Sequence, residues 1–142
     1  MNISMFDILG PIMIGPSSSH TAGAQRLGKA MYNMISDKQL TAVHFMLHGS
    51  FHLTLRGHGT DRALVGGVLG MNAYDPQLKN SLEIAKEKGI EVSFEGADLG
   101  DVHPNTVRII ARTSDGAISS LMGSSVGGGN IEIVEINGTS AK

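Results

Sequence analysis

Val43-His44-Phe45-Met46-Leu47-His48-Gly49 can be read in two ways, and the architecture depends on which is right. Val43, Phe45 and Leu47 alternate with His44, Met46 and His48, the period of a strand with one apolar face. Alternatively, His44, His48 and His52 recur every fourth residue, so on a helix they would share a face and could ligate a metal. The β-favouring Val43 and Phe45, closed by Gly49-Ser50, favour a strand that ends before His52. On that reading the three imidazoles do not converge.

Outward from this strand the apolar period changes. Upstream, Ala24, Leu27, Met31, Met34 and Ile35 keep helical spacing, with Arg26, Lys29 and Asn33 on the other face, and the helix is expected to end near Ser36-Asp37. A short first helix over Ser4 to Leu9, capped by Ser4, would stop at Gly10-Pro11. Downstream, Thr60 or Asp61 can cap a helix carrying Leu64, Val68 and Met71. Its Gly66, Gly67 and Gly70 would each weaken an exposed helix by up to about 1 kcal/mol relative to Ala. That helix is therefore expected to pack backbone-close against something, and self-association through it is one expectation.

Asp75-Pro76 opens a further helix with Leu78, Leu82 and Ala85 as its stripe, up to Gly89. Strands follow: Ile90, Val92 and Phe94; then Val107, Ile109 and Ala111; then, after an Asp115-Gly116 hairpin turn, Ala117 to Met122. Gly123 to Asn130 reads as a loop. Ile131, Ile133, Val134 and Ile136 make a last strand, whose change of phase permits a bulge or burial on both faces. Five strands and three principal helices without a clean βαβ alternation give an α+β class, a mixed β-sheet with helices packed on it. No internal repeat is visible.

The totals exclude several functions. A chain of 142 residues with 41% apolar content is one globular domain, and a net charge of -2 with scattered Lys and Arg offers no footprint for nucleic acid. No apolar run is long enough to span a bilayer, and Met1 to Asp7 lacks the regions of a signal peptide, so a cytoplasmic location without membrane contact is expected. With no cysteine, the chain forms no disulfide and supplies no thiolate ligand to a metal.

The conspicuous polar residues fall in clusters at the ends of these elements, where ligand sites are built. Gly15-Pro16-Ser17-Ser18-Ser19-His20-Thr21 precedes the first long helix, where free backbone N–H groups and the macrodipole favour an anion. One Ser acting as a plain cap is the simpler alternative. Gly57-His58-Gly59 flanks an imidazole with glycines that let a ligand approach, and His103-Pro104-Asn105-Thr106 and Gly127-Gly128-Gly129 complete the set. A phosphate-binding Gly-Lys-Ser/Thr triplet and a dinucleotide fingerprint are both absent. The residues alone therefore describe a small-anion site of hydroxyls, imidazoles and backbone amides, without naming a reaction.

Taken in order, Gly15 to Gly23, Gly57-His58-Gly59-Thr60-Asp61 and His103-Pro104-Asn105-Thr106 closely resemble the β chain of the iron-sulfur-dependent L-serine dehydratases. Phe6-Asp7-Ile8-Leu9-Gly10 and Gly123 to Gly129 extend the match. The family's β domain is also similar to the allosteric substrate-binding domain of some D-3-phosphoglycerate dehydrogenases. The resemblance implies pyridoxal-independent elimination, turning L-serine into pyruvate and ammonia with a 4Fe-4S cluster as Lewis acid. A chain without cysteine cannot hold that cluster by thiolates, so a cysteine-bearing α chain would supply it and the active site would form between the two.

By position, the resemblance makes Ser17, Ser18, Ser19, His20 and Thr21 candidates for the substrate carboxylate, and His58, beside Gly57, the candidate catalytic or substrate-orienting residue. Asp61 either orients His58 or caps its helix, while His103 and Asn105 line the site without an assigned role. Family β chains commonly continue into an ACT regulatory domain. Here residues 1–138 are expected to be the β domain and 139–142 a tail. A module that senses serine or another small carboxylate without chemistry is the competing reading.

Overall fold

The computed structural model describes residues 18–49, 51–52 and 59–140, with backbone alone at 18–20 and 140. The short helix expected at Ser4 to Leu9 lies outside them. Helix α1 spans Ser18–Ile35, β1 Leu40–Leu47, α2 Thr60–Val68 and α3 Ser81–Glu87, entered through a 3-10 turn at Pro76–Asn80. Strands β2 (Glu91–Gly96), β3 (Thr106–Thr113), β4 (Ile118–Gly127), β5 (Asn130–Ile136) and the two-residue β6 (Thr139–Ser140) follow.

The sheet runs β2-β1-β3-β4-β5-β6. Strand β1 pairs in parallel with β2, and the other pairings are antiparallel, so the sheet is mixed. The strand reading of residues 43–49 holds: Val43, Phe45 and Leu47 are buried and face Val107, Ile109 and Ala111 of β3 in the same core. Phe45 stacks on Phe94 of β2 with ring centroids 5.0 Å apart.

Helix α1 lies over β4, β5 and β3, α2 lies beside α1, and α3 touches α2 and β2. Ala24, Leu27, Met31 and Ile35 form the buried stripe of α1. The glycines of α2 do pack backbone-close, but within the chain: a Cβ on Gly67 would run into the Gln25 carbonyl oxygen of α1, and one on Gly28 into the Leu64 carbonyl oxygen. The close neighbour at Gly67 is thus α1 of the same chain, while Gly66 faces Leu78.

Three further details differ from the sequence reading. Neither Thr60 nor Asp61 caps α2; the N-cap is Gly59, at φ 77, and no side chain caps the helix. Strand β4 runs on through Gly123 to Gly127, expected as loop, and only Gly128 and Gly129 form the turn; Gly127, Gly128 and Gly129 are all at positive φ. Gly123 tolerates the strand because Leu27 packs where its side chain would be. Thr139 and Ser140, expected in a tail, pair with Ile136 and Glu135 as β6. The phase change in β5 is a bulge: Met122 pairs with Glu135 and Gly123 with Ile133, leaving Val134 over.

Candidate functional site

One end of the sheet collects the polar clusters. The C-terminal ends of β1 and β4, the start of β3 and the first turns of α1 and α2 meet there. A Cβ on Gly59 would lie 3.8 Å from Thr21 Cγ2, so the two helix N-termini adjoin. Gly23 sits directly on Ser125, and the Ser125 N–H donates to the Asn105 carbonyl at 2.9 Å. Gly129 lies against Ala22, with 3.4 Å from its missing Cβ to that methyl. Four segments that are far apart in sequence thus share one corner.

Gly23 is what lets α1 come this close to β4, since a Cβ there would run into Ser125, while Gly59 and Gly129 supply left-handed backbone at φ 77 and φ 82. The first turn of α1 carries no acidic residue, so its positive macrodipole end is not neutralised from within the helix. Asp61, only 3% exposed, lies in the first turn of α2, where its Oδ1 accepts from the Arg62 N–H at 2.8 Å. This arrangement can hold a small anion at α1 beside a fixed carboxylate at α2.

The His103-Pro104-Asn105-Thr106 turn is held rigidly. His103 Nδ1 accepts from the Asn105 N–H at 3.0 Å, and Thr106 Oγ1 donates to the His103 carbonyl at 2.6 Å. The His48 N–H donates to the Thr106 carbonyl at 2.9 Å, tying the turn to the end of β1. Asn105 Oδ1 is buried and has no hydrogen-bond partner among the described residues. A buried acceptor of this kind costs about 1–3 kcal/mol unless a donor reaches it.

Of the sequence-assigned site residues, the structure brings together Thr21, Asp61 and Asn105, with His103 on the same turn. For Ser18, Ser19 and His20 it fixes only the backbone, in the first turn of α1. Ser17, Gly57 and His58 lie outside the described residues. The other three histidines are dispersed, as the strand reading requires. His44 projects from the outer sheet face onto Ser93 Oγ and Glu95 Oε1; His48 Nδ1 accepts from the Leu99 N–H; His52 packs against Gly96. Among the described residues no group of three His, Cys, Asp or Glu could hold a metal ion.

Ser124 and Ser125 carry structural roles that the sequence reading missed. Both are buried, and Ser124 Oγ meets Thr106 Oγ1 at 2.7 Å. The signal was there: with glycine and serine at alternate positions after Leu121, the strand continues its period in small residues. A cavity of about 320 Å³ at the opposite end, lined by Tyr32, Ile35, Lys38, Leu40, Val68 and Lys88, contains none of these groups. It faces the C-terminal ends of α1 and α2, which disfavour an anion.

The fold is a one-sided α+β sheet that gathers two helix N-termini and a His-Pro-Asn turn at one end. The chain belongs to the serine dehydratase beta chain family, whose model matches residues 4–87. It is 48% identical to the L-serine dehydratase β chain of Peptoniphilus asaccharolyticus, over 95% of this chain and 61% of that one. With the probable L-serine dehydratase β chain of Bacillus subtilis identity is 45%, over 95% of this chain and 60% of the other. An L-serine dehydratase of Escherichia coli shares 34% identity over 91% of this chain and 33% of its own length. The chain thus spans about 60% of the length of the β-chain relatives. Among the described residues no helix is long and apolar enough to cross a membrane.

Proposed function

We propose that this chain is the β subunit of a two-chain, pyridoxal-independent L-serine dehydratase of the cytoplasm, a lyase that deaminates L-serine to pyruvate and ammonia. Family membership supplies the reaction class. The meeting of the α1 and α2 N-termini with the Asn105 turn is the observation that carries the assignment to this corner. The relatives named above are dehydratases, which does not favour a stand-alone serine sensor.

This chain's residues do not fit a 4Fe-4S cluster as its holder, since none of them is a cysteine. We assign the cluster to a cysteine-bearing α chain. The contribution of the β chain is to bind and orient serine. Its carboxylate is received by the first-turn amides of α1 and the hydroxyls of Ser17, Ser18, Ser19 and Thr21, with His20 alongside. Asn105 Oδ1, the buried acceptor in want of a donor, suits the α-ammonium. His58, with Gly57 and Gly59 leaving room at its sides, is the group proposed to handle the α-proton, since imidazole exchanges protons near neutral pH. Overall, the α-proton and the β-hydroxyl leave as water, and the enamine that remains is hydrolysed to pyruvate and ammonia.

The test is anaerobic pyruvate formation from L-serine by this chain, by the α chain and by their mixture. Activity is expected in the mixture alone and should fall at least about 100-fold with His58→Ala, the lower range for loss of a general acid–base group. A mixture that stays inert with fully loaded α chain overturns the proposal.

A further inference from the structure

The His103-Pro104-Asn105-Thr106 turn determines which ring nitrogen of His103 carries the proton. The Asn105 N–H donates to Nδ1 at 3.0 Å, and a ring nitrogen that accepts holds no hydrogen. The neutral imidazole therefore carries its hydrogen on Nε2. Turning the ring over would set a C–H against the Asn105 N–H, so the geometry admits one orientation.

The rest of the turn holds that geometry in place. Thr106 Oγ1 donates its single hydroxyl proton to the His103 carbonyl at 2.6 Å, so in its 2.7 Å contact with Ser124 Oγ it must accept. A directed chain results, from the Ser124 hydroxyl to the Thr106 hydroxyl to the His103 carbonyl. Thr106 and Ser124 are 0% and 2% exposed, which keeps water from competing for these bonds. The His103 side chain itself is exposed, on the turn that carries Asn105 into the site.

We propose that His103 is a fixed hydrogen-bond donor that offers Nε2–H to the carboxylate of the amino-acid substrate, and that it does not take the α-proton. A base must present a lone pair to the substrate, whereas the lone pair of His103 is engaged by Asn105 N–H and its outward nitrogen bears the hydrogen. The donor role rests on the dehydratase reading; the tautomer does not.

Two measurements test it. Long-range 1H–15N spectra of this chain, labelled on histidine, should show neutral His103 as the Nε2–H form. In the assembled α and β pair, His103→Gln places an amide nitrogen near the Nε2 position and should keep kcat/KM within about 5-fold of wild type. His103→Asn ends at the Nδ1 position and should raise KM for L-serine about 10- to 100-fold with much less change in kcat, the factor for losing a hydrogen bond to a charged group. An Nδ1–H ring, or His103→Gln losing turnover as fully as His103→Asn, overturns the inference. A wild-type pair that forms no pyruvate beside an Nε2–H ring overturns the dehydratase reading, and the donor role with it, while the tautomer stands.

Discussion

Asn105 is the residue where stability and function pull apart. A buried carbonyl oxygen without a partner destabilises the free domain, and such a group persists where a ligand satisfies it. Asn105→Ala is expected to leave the free energy of urea unfolding within about 1 kcal/mol of wild type, since it removes an unsatisfied group. In the assembled enzyme the same change should raise KM for L-serine roughly tenfold or more, as loss of a charged hydrogen bond does. Unfolding and turnover, measured side by side, check the pair of outcomes. Asp115 is a contrasting case, an acid whose partners are all supplied. The Thr113 hydroxyl, the Ala117 N–H and Lys38 hold its carboxyl down at about 2, from an ordinary 3.8. Because the folded value is depressed, its stabilising effect is present above the unfolded value of 3.8 and is lost as pH falls through about 2. Carboxyl-resolved NMR titration should find that midpoint, and Thr113→Val, by removing the largest cause, should move it back toward 3.8.

The α1–α2 contact is the element-scale determinant of the site, because it sets one helix N-terminus beside the other. Gly28 and Gly67 bring the two backbones together, and at Gly67 an added methyl meets main-chain atoms of Gln25 and Lys29 that cannot swing aside. Gly67→Ala should therefore cost about 3 kcal/mol or more in urea unfolding, at or above the usual range for overpacking. Gly66→Ala, whose methyl meets the flexible end of Leu78, should cost clearly less. This contact was half legible in the sequence. Three glycines in one helix announced a close neighbour, but composition does not say whether that neighbour is another copy or α1, and the chain's own α1 prevails because it lies alongside. The β1 strand was fully legible, since Val43, Phe45 and Leu47 keep their period and their burial. The far half of β4 was not. Gly123, Ser124 and Ser125 have loop composition, and they stay in the ladder through partners elsewhere in the chain: Leu27 over Gly123, Thr106 at Ser124, Gly23 and Asn105 at Ser125. The positions of the clusters at element ends were readable; their convergence on one corner depends on the strand order β2-β1-β3-β4-β5-β6, which local pattern does not encode.

At the scale of the whole molecule, the sheet separates two environments. Its inner face buries Phe45, Leu47, Val107, Ile109 and Leu121 beneath α1 and α2, while the outer face carries His44, Arg108, Arg112 and Glu135, with an Arg108–Glu135 pair at 3.1 Å. The anion-favouring corner lies at one end of this slab, with donors, acceptors and helix dipoles. On the proposed dehydratase reading, this corner would receive the carboxylate and ammonium of serine, and a partner chain would take the β-hydroxyl. The proposed reading therefore implies a divided site, in which affinity for serine would be completed by assembly.

Calorimetric titration of L-serine under anaerobic conditions, first into this chain and then into the assembled α and β pair, tests that claim most directly. Binding should be weak for the chain alone, with Kd in the range of about 1 mM or above, and at least about tenfold tighter for the pair, a gain of about 1.4 kcal/mol from the added contacts. Equal affinity in the two titrations would contradict the divided site and identify the corner as a complete serine-binding module on its own.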